Sequence, residues 1–155
     1  MYYFLNDNLQ YSKSGIEEAE INRLRLFKQH HQNAAIVTRI FAMDLHAVMA
    51  GANLADADVI NLFDFFCGAQ TVPVQPLMLA DFQVPADAIK TRKDRQVQVV
   101  QQGKLIMVIY LRDQTDEISN VQYFDVNGKT LKMTWWDTRG MKCLEQFFDW
   151  TGKIA

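Results

Sequence analysis

The chain has 155 residues, 49% hydrophobic and 12% aromatic, which suits one ordinary domain or two small modules sharing a core. With 16 Lys and Arg against 18 Asp and Glu the net charge is −2, too balanced for a protein whose affinity rests on neutralising a nucleic-acid backbone. No apolar run approaches the ~18 to 20 residues that span a bilayer. MYYFLNDN lacks the segments of an export signal, and Cys67 and Cys143 show no metal-site or disulfide spacing, so a cytoplasmic protein with reduced thiols and no metal is expected.

YYFL at 2–5 predicts a buried strand, followed by a polar loop, a helix from Gly15 to about His30, and a second strand, AAIVTRI, at 34–40. Helical stretches are predicted near 44–51 and 56–67. Strand, helix, strand, helix is the beginning of an open parallel sheet, because a parallel pair needs a helical crossover. The stretch 69–88 holds Pro73, Pro76 and Pro85. Proline fixes φ and disfavours helix in the residue before it, so this stretch reads as a connector between a first domain at 1–68 and a second at 89–155.

In the second domain VQVVQQ leads through a Gln-Gly turn to KLIMVIYL, apolar on both faces and therefore a central strand. Asp125, Asp137 and Asp149 then recur twelve apart, with Gly128, Gly140 and Gly152 in step. Each D-x-x-G suits a type I turn closed by a left-handed glycine. If 125 pairs with 129 and 137 with 141, odd positions share one face. Val121, Tyr123, Leu131, Met133, Trp135, Cys143 and Phe147 would line the core, interrupted by Glu145, with Phe124, Trp136 and Phe148 on the opposite face. The expected fold class is α/β plus antiparallel β, a strand-helix-strand-helix unit followed by a β-meander with a twelve-residue repeat. A strand should follow Gly152, and the first half offers two strands of a parallel sheet, so an excised N-terminal portion of a longer protein is expected.

Ser14-Gly15-Ile16-Glu17 is a capping box, and Gly15 lets another group approach the free N–H groups. A helix start after a first strand can hold a phosphate, helped by a dipole effect of roughly 0.3 to 1 kcal/mol. At 100° per residue Ile16, Ala19, Leu24, Leu26 and Phe27 form an apolar arc with Glu20 and Arg23 inside it. That pair reads either as an internal ion pair or as Arg23 facing an anionic ligand. Lys90, Arg92, Lys93 and Arg95, within KTRKDR, read either as a solvated connector or as a contact for an anionic polymer. The histidines have no spaced partners, and no Ser/His/Asp set, Walker loop, G-x-G-x-x-G or HExxH occurs, so no catalytic residue is assigned.

MYYFLNDN, SGIEEAEINRLRLF, AAIVTRIF, NLFDFF and the YFD-x-x-GK stretch together resemble the N-terminal region of bacterial retaining GT-B glycosyltransferases of family 4. These include the poly(glycerol-phosphate) α-glucosyltransferases of wall teichoic acid and the accessory Sec enzymes that glycosylate serine-rich adhesins. The resemblance implies a Rossmann-like first domain interrupted by a β insertion, with a UDP-sugar as donor substrate and no further cofactor. It places Ser14 and Gly15 against the donor diphosphate and Arg23 at the matching helix position, and the family's catalytic residues outside this chain. It implies that the sheet serves acceptor binding and assembly, as a homo-oligomer or hetero-complex. Lys90, Arg92, Lys93 and Arg95 then become contacts for an anionic cell-wall polymer, the other acceptor being a serine-rich protein. A peripheral place at the membrane is a variant of the cytoplasmic expectation. The alternative is a noncatalytic β-repeat module for protein–protein interaction.

Overall fold

The structure is a computed structural model describing residues 1–11 and 15–155, and the chain divides into two compact units, Met1–Pro73 and Val74–Ala155. In the first, β1 (Tyr2–Asn6), β2 (Ala34–Thr38) and β3 (Val59–Asn61) form a parallel sheet in that order. The helices are α1 (Gly15–Gln29), α2 (Leu45–Gly51) and α3 (Leu62–Cys67), with a 3₁₀ turn at Asp56–Asp58. Phe4 pairs with Ile36 and Ile36 with Val59, which makes β2 the central strand and explains its uninterrupted apolar start, Ala34-Ala35-Ile36. Ile21 and Leu24 of α1, Leu45, Val48 and Met49 of α2, and Leu9 complete this core.

Two expectations for this unit are corrected. The single helix expected at 56–67 is broken by β3, whose three residues pair with β2. Sheet pairing overrides the local helical pattern there, and Asn61 starts a new helix by accepting hydrogen bonds from the N–H groups of Phe63 and Asp64. On α1 the buried residues are Glu17, Glu20, Ile21 and Leu24, an i, i+3, i+4, i+7 stripe, whereas Ile16 and Leu26 are 69% and 51% exposed. Because two of the four stripe positions are glutamates, hydrophobicity alone points the helix the wrong way.

The second unit is a six-stranded antiparallel meander: β4 (Ile89–Lys93), β5 (Gln96–Gln101), β6 (Lys104–Leu111), β7 (Ile118–Phe124), β8 (Thr130–Trp136) and β9 (Lys142–Phe147). One face buries Val97, Val99, Met107, Ile109, Leu111, Ile118 and Val121 under Leu77, Leu79, Phe82 and Val84. The proline-rich stretch therefore does more than connect. Gln75 N–H donates to the Arg139 carbonyl at 2.8 Å, Leu79 N–H to Asp116 at 2.9 Å, and the Leu77 carbonyl accepts from Ile118 at 2.8 Å, which lays the segment on the sheet.

The turns after β7, β8 and β9 share one geometry. Asp125 N–H donates to the Lys129 carbonyl, while the Asp125 carboxylate accepts from the N–H groups of Asn127 and Lys129. Asp137 and Asp149 make the same bonds, and Gly128, Gly140 and Gly152 sit at φ +79°, +87° and +84°. The Lys129 N–H bond holds the Asp125 carboxyl below the usual carboxylate range.

The expected face assignment is corrected for β8. Tyr123 pairs with Lys132 but Phe124 with Thr130, so Leu131 is an extra residue; Trp135 pairs with Leu144 but Trp136 with Lys142, so Cys143 is another. The first bulge inverts the parity of β8 and the second restores it in β9, where Glu145 and Phe147 share the face of Val121 and Tyr123 as expected. The row through Ile109 and Val121 therefore continues into Thr134 and Glu145, while Met133 and Trp135 point to the other side.

Candidate ligand-binding end of the parallel sheet

In open α/β sheets, ligands bind outside the carboxyl ends of the strands. Here those ends carry Asn6-Asp7, Thr38-Arg39 and Asn61. The first two are tied together: the Asp7 carbonyl accepts from the N–H groups of Arg39 and Ile40, and the Arg39 Nε lies 2.5 Å from the Asp7 carboxylate. Asn61 braces the third end, its Nδ2 donating to Thr38 Oγ1 and to the Ile40 carbonyl, both at 2.9 Å. Arg39, Leu62, Phe63, Phe66 and Cys67 line a cavity of about 290 Å³. His46, between Asp64 at 2.6 Å and Asp56 at 3.6 Å, ties α2 to α3 and to the 3₁₀ turn. Sequence reading missed Asp7, Arg39 and Asn61; the available signal was a polar residue closing each strand.

Gly15 is the first residue of α1 and exposed, and a Cβ built on it meets no atom of the described residues beyond its chain neighbours within 4 Å. Ser14 lies outside the described residues. Arg23 is not beside Gly15: eight residues on, it is displaced by about 12 Å along the helix axis. Its guanidinium sits 5.3 Å from the centroid of the Phe4 ring. The apolar seam below it is aromatic, Tyr2 and Phe4 both meeting Phe27 edge-on. Glu20 is 8% exposed, its Oε2 has no hydrogen-bond partner, and burial pushes its carboxyl up against the opposing pull of Arg23. Asn6 Nδ2 is likewise buried without a partner.

Strand alternation scatters the basic cluster. Lys90 and Arg92 pair with Val99 and Val97, on the side of the sheet that buries those valines, while Lys93 pairs with Gln96 on the other side and Arg95 lies in the turn between β4 and β5. Arg92 pairs with Asp116 at 2.6 Å, and Arg95 is bonded to Asp113. The sheet's second face carries two cross-strand rows rich in amides and aromatics, Gln96-Tyr110-Asn120-Trp135-Leu144 and Gln98-Val108-Gln122-Met133-Gln146. Tyr110 donates its hydroxyl to Gln122, which donates in turn to Thr130 Oγ1. Burial pushes the Cys143 thiol up to about 11, so it stays protonated at neutral pH. Among the described residues no group of acidic, His or Cys side chains is placed to hold a metal, and no helix is long and apolar enough to cross a membrane.

No family model matches the sequence, and no curated protein does. Solved structures do. The accessory secretory proteins 1, 2 and 3 of Streptococcus pneumoniae include a chain matched over 100% of this one and 34% of its own length, at TM-score 0.78 and 18% identity. A GtfA/B complex is matched over 99% of this chain and 34% of its own, at 0.71 and 17%. The pneumococcal O-GlcNAc transferase GtfA, in complex with UDP and GlcNAc, is matched over 99% and 38%, at 0.56 and 15%. The chain thus spans about a third of the length of the chains it matches. At these identities the likeness is one of fold.

Proposed function

We propose that this chain is the part of a UDP-sugar-dependent, retaining GT-B glycosyltransferase that carries the donor-phosphate helix and an acceptor-binding sheet. The reading is carried by one observation: a parallel sheet with a glycine-started helix and a six-stranded meander occur in one chain, and structures containing glycosyltransferases match this chain over 99% of its length. Gly15, with Ser14, would face the donor diphosphate; Arg23 would join it by leaving the Phe4 ring. The catalytic groups would lie elsewhere in the assembled enzyme. The sheet would take a cell-wall polymer or serine-rich protein acceptor and join partner chains, its hairpins kept in step by the twelve-residue Asp-x-x-Gly unit. Lys90, Arg92, Lys93 and Arg95 would serve a polymer acceptor, the two lysines foremost because both arginines already have carboxylate partners. A cytoplasmic place fits a nucleotide-sugar donor.

Gly15→Val tests the donor site. The added side chain meets no protein atom within 4 Å at its Cβ, so the fold should melt unchanged, while the approach to the helix start is narrowed. UDP affinity, measured by calorimetry, is expected to fall at least tenfold. Equal affinity in both proteins rejects the assignment.

The second reading, a noncatalytic β-repeat module for protein–protein interaction, is favoured by the acidic first turn of α1, Glu17 and Glu18, which opposes phosphate. It predicts no UDP binding by the unaltered chain.

A further inference from the structure

The donor reading leaves one buried group unused. Glu20 lies five residues beyond Gly15, about 7.5 Å along the axis, on the helix whose start would receive the phosphates. It is buried, and its Oε2 has no hydrogen-bond partner. Around it, α1 supplies Glu17 one turn earlier, also buried, and the exposed Arg23 one turn later, held over Phe4. On the side of β1 that meets α1 stand Tyr2, Phe4 and Asn6, of which only Tyr2 has an ionisable group, at the far end beside Phe27, and Ala34 and Ile36 of β2 have none. In the free protein Arg23, the next cation along α1, lies over an aromatic ring, and the Glu20 carboxyl is largely withdrawn from solvent. A phosphate at the helix start would put two or more negative charges within roughly 10 Å of it, a distance at which unlike surface pairs, buried charges are poorly screened.

We infer that Glu20 is a positioning residue that makes nucleotide binding at the start of α1 proton-linked: an anionic ligand there draws one proton onto the Glu20 carboxylate. This deepens the donor-site proposal and rests on it. The sign follows from like-charge repulsion. Burial already favours the protonated form in the free protein, and the ligand favours it further. Protons are taken up on binding, and affinity falls as pH rises from just above the ordinary carboxylate range, by at most tenfold per pH unit for one proton.

The test is UDP titration by calorimetry at pH 6.0 and 7.5, in buffers of differing ionisation enthalpy, with the unaltered chain and Glu20→Gln. The glutamine keeps the shape and removes the charge. The terminal phosphate of UDP titrates alike with both proteins, so their difference isolates Glu20. At pH 6.0 the unaltered chain should take up a measurable fraction of a proton more than the variant. At pH 7.5 the variant should bind about tenfold tighter, the size of a one-unit shift. Equal proton uptake together with equal or weaker affinity in the variant overturns the inference. No binding by either protein at either pH overturns the donor site instead.

Discussion

Gly140→Ala is expected to destabilise the 74–155 unit by about 3 to 5 kcal/mol, whereas Gly128→Ala costs about 1 to 2 kcal/mol. Both glycines hold a left-handed conformation, φ +87° and +79°, which disfavours any other L-residue. Only Gly140 also touches another segment. A Cβ there would fall inside contact range of the Gln75 carbonyl oxygen, 2.9 Å from its carbon and 3.1 Å from the Leu77 nitrogen. These are backbone atoms, and Gln75 N–H is bonded to the Arg139 carbonyl, so the proline-rich segment would have to lift from the turn. At Gly128 the same Cβ meets nothing within 4 Å. All three tryptophans, 135, 136 and 150, belong to this unit, so urea unfolding followed by tryptophan fluorescence measures the difference directly. Equal losses for the two variants would mean that the segment does not rest on the turn.

Asn61→Ala should cost the 1–73 unit about 3 to 4 kcal/mol. Its side chain does two things at once. The oxygen caps α3 through Phe63 and Asp64, and the nitrogen supplies the Ile40 carbonyl and the fully buried Thr38 hydroxyl. Loss of the cap alone is worth about 1 kcal/mol, and the two acceptors left without their donor, of which the Thr38 hydroxyl is fully buried, about 2 to 3 kcal/mol together. Asn61→Ser should recover roughly the cap share and no more, because a serine hydroxyl can cap α3 but does not reach the β2 end. The named helices all lie in this unit, so helical circular dichroism reports its unfolding. Full recovery by serine would show that the brace across the strand ends is not needed.

These two positions mark how far the sequence could be read. The meander was legible because Asp-x-x-Gly demands one turn geometry wherever it occurs, and KLIMVIYL could only be an inner strand. The faces of β8 were not legible, since the extra residue at Leu131 inverts that strand until the one at Cys143 restores the parity, and nothing in local composition marks a bulge. β3 escaped because three residues give no period to read; its identity comes from pairing with β2. At the candidate site, the glycine at the helix start was visible, but the Asp7–Arg39 clasp joins residues 32 apart and looks like ordinary loop polarity in the sequence. The basic cluster is denser in the sequence than in the fold. Four charges adjacent in sequence are divided between two faces and a turn by the pleat, and two are answered by aspartates from the β6–β7 loop.

The central claim, a nucleotide-binding helix start in a glycosyltransferase-type chain, is tested most directly by titrating UDP into the isotopically labelled protein and following its backbone amides. The account predicts saturable shifts at Gly15, Ile16 and Glu17, with smaller ones at Asp7 and Arg39 across the strand ends. Shifts absent from these amides, or confined to the sheet of residues 89–147, would contradict it.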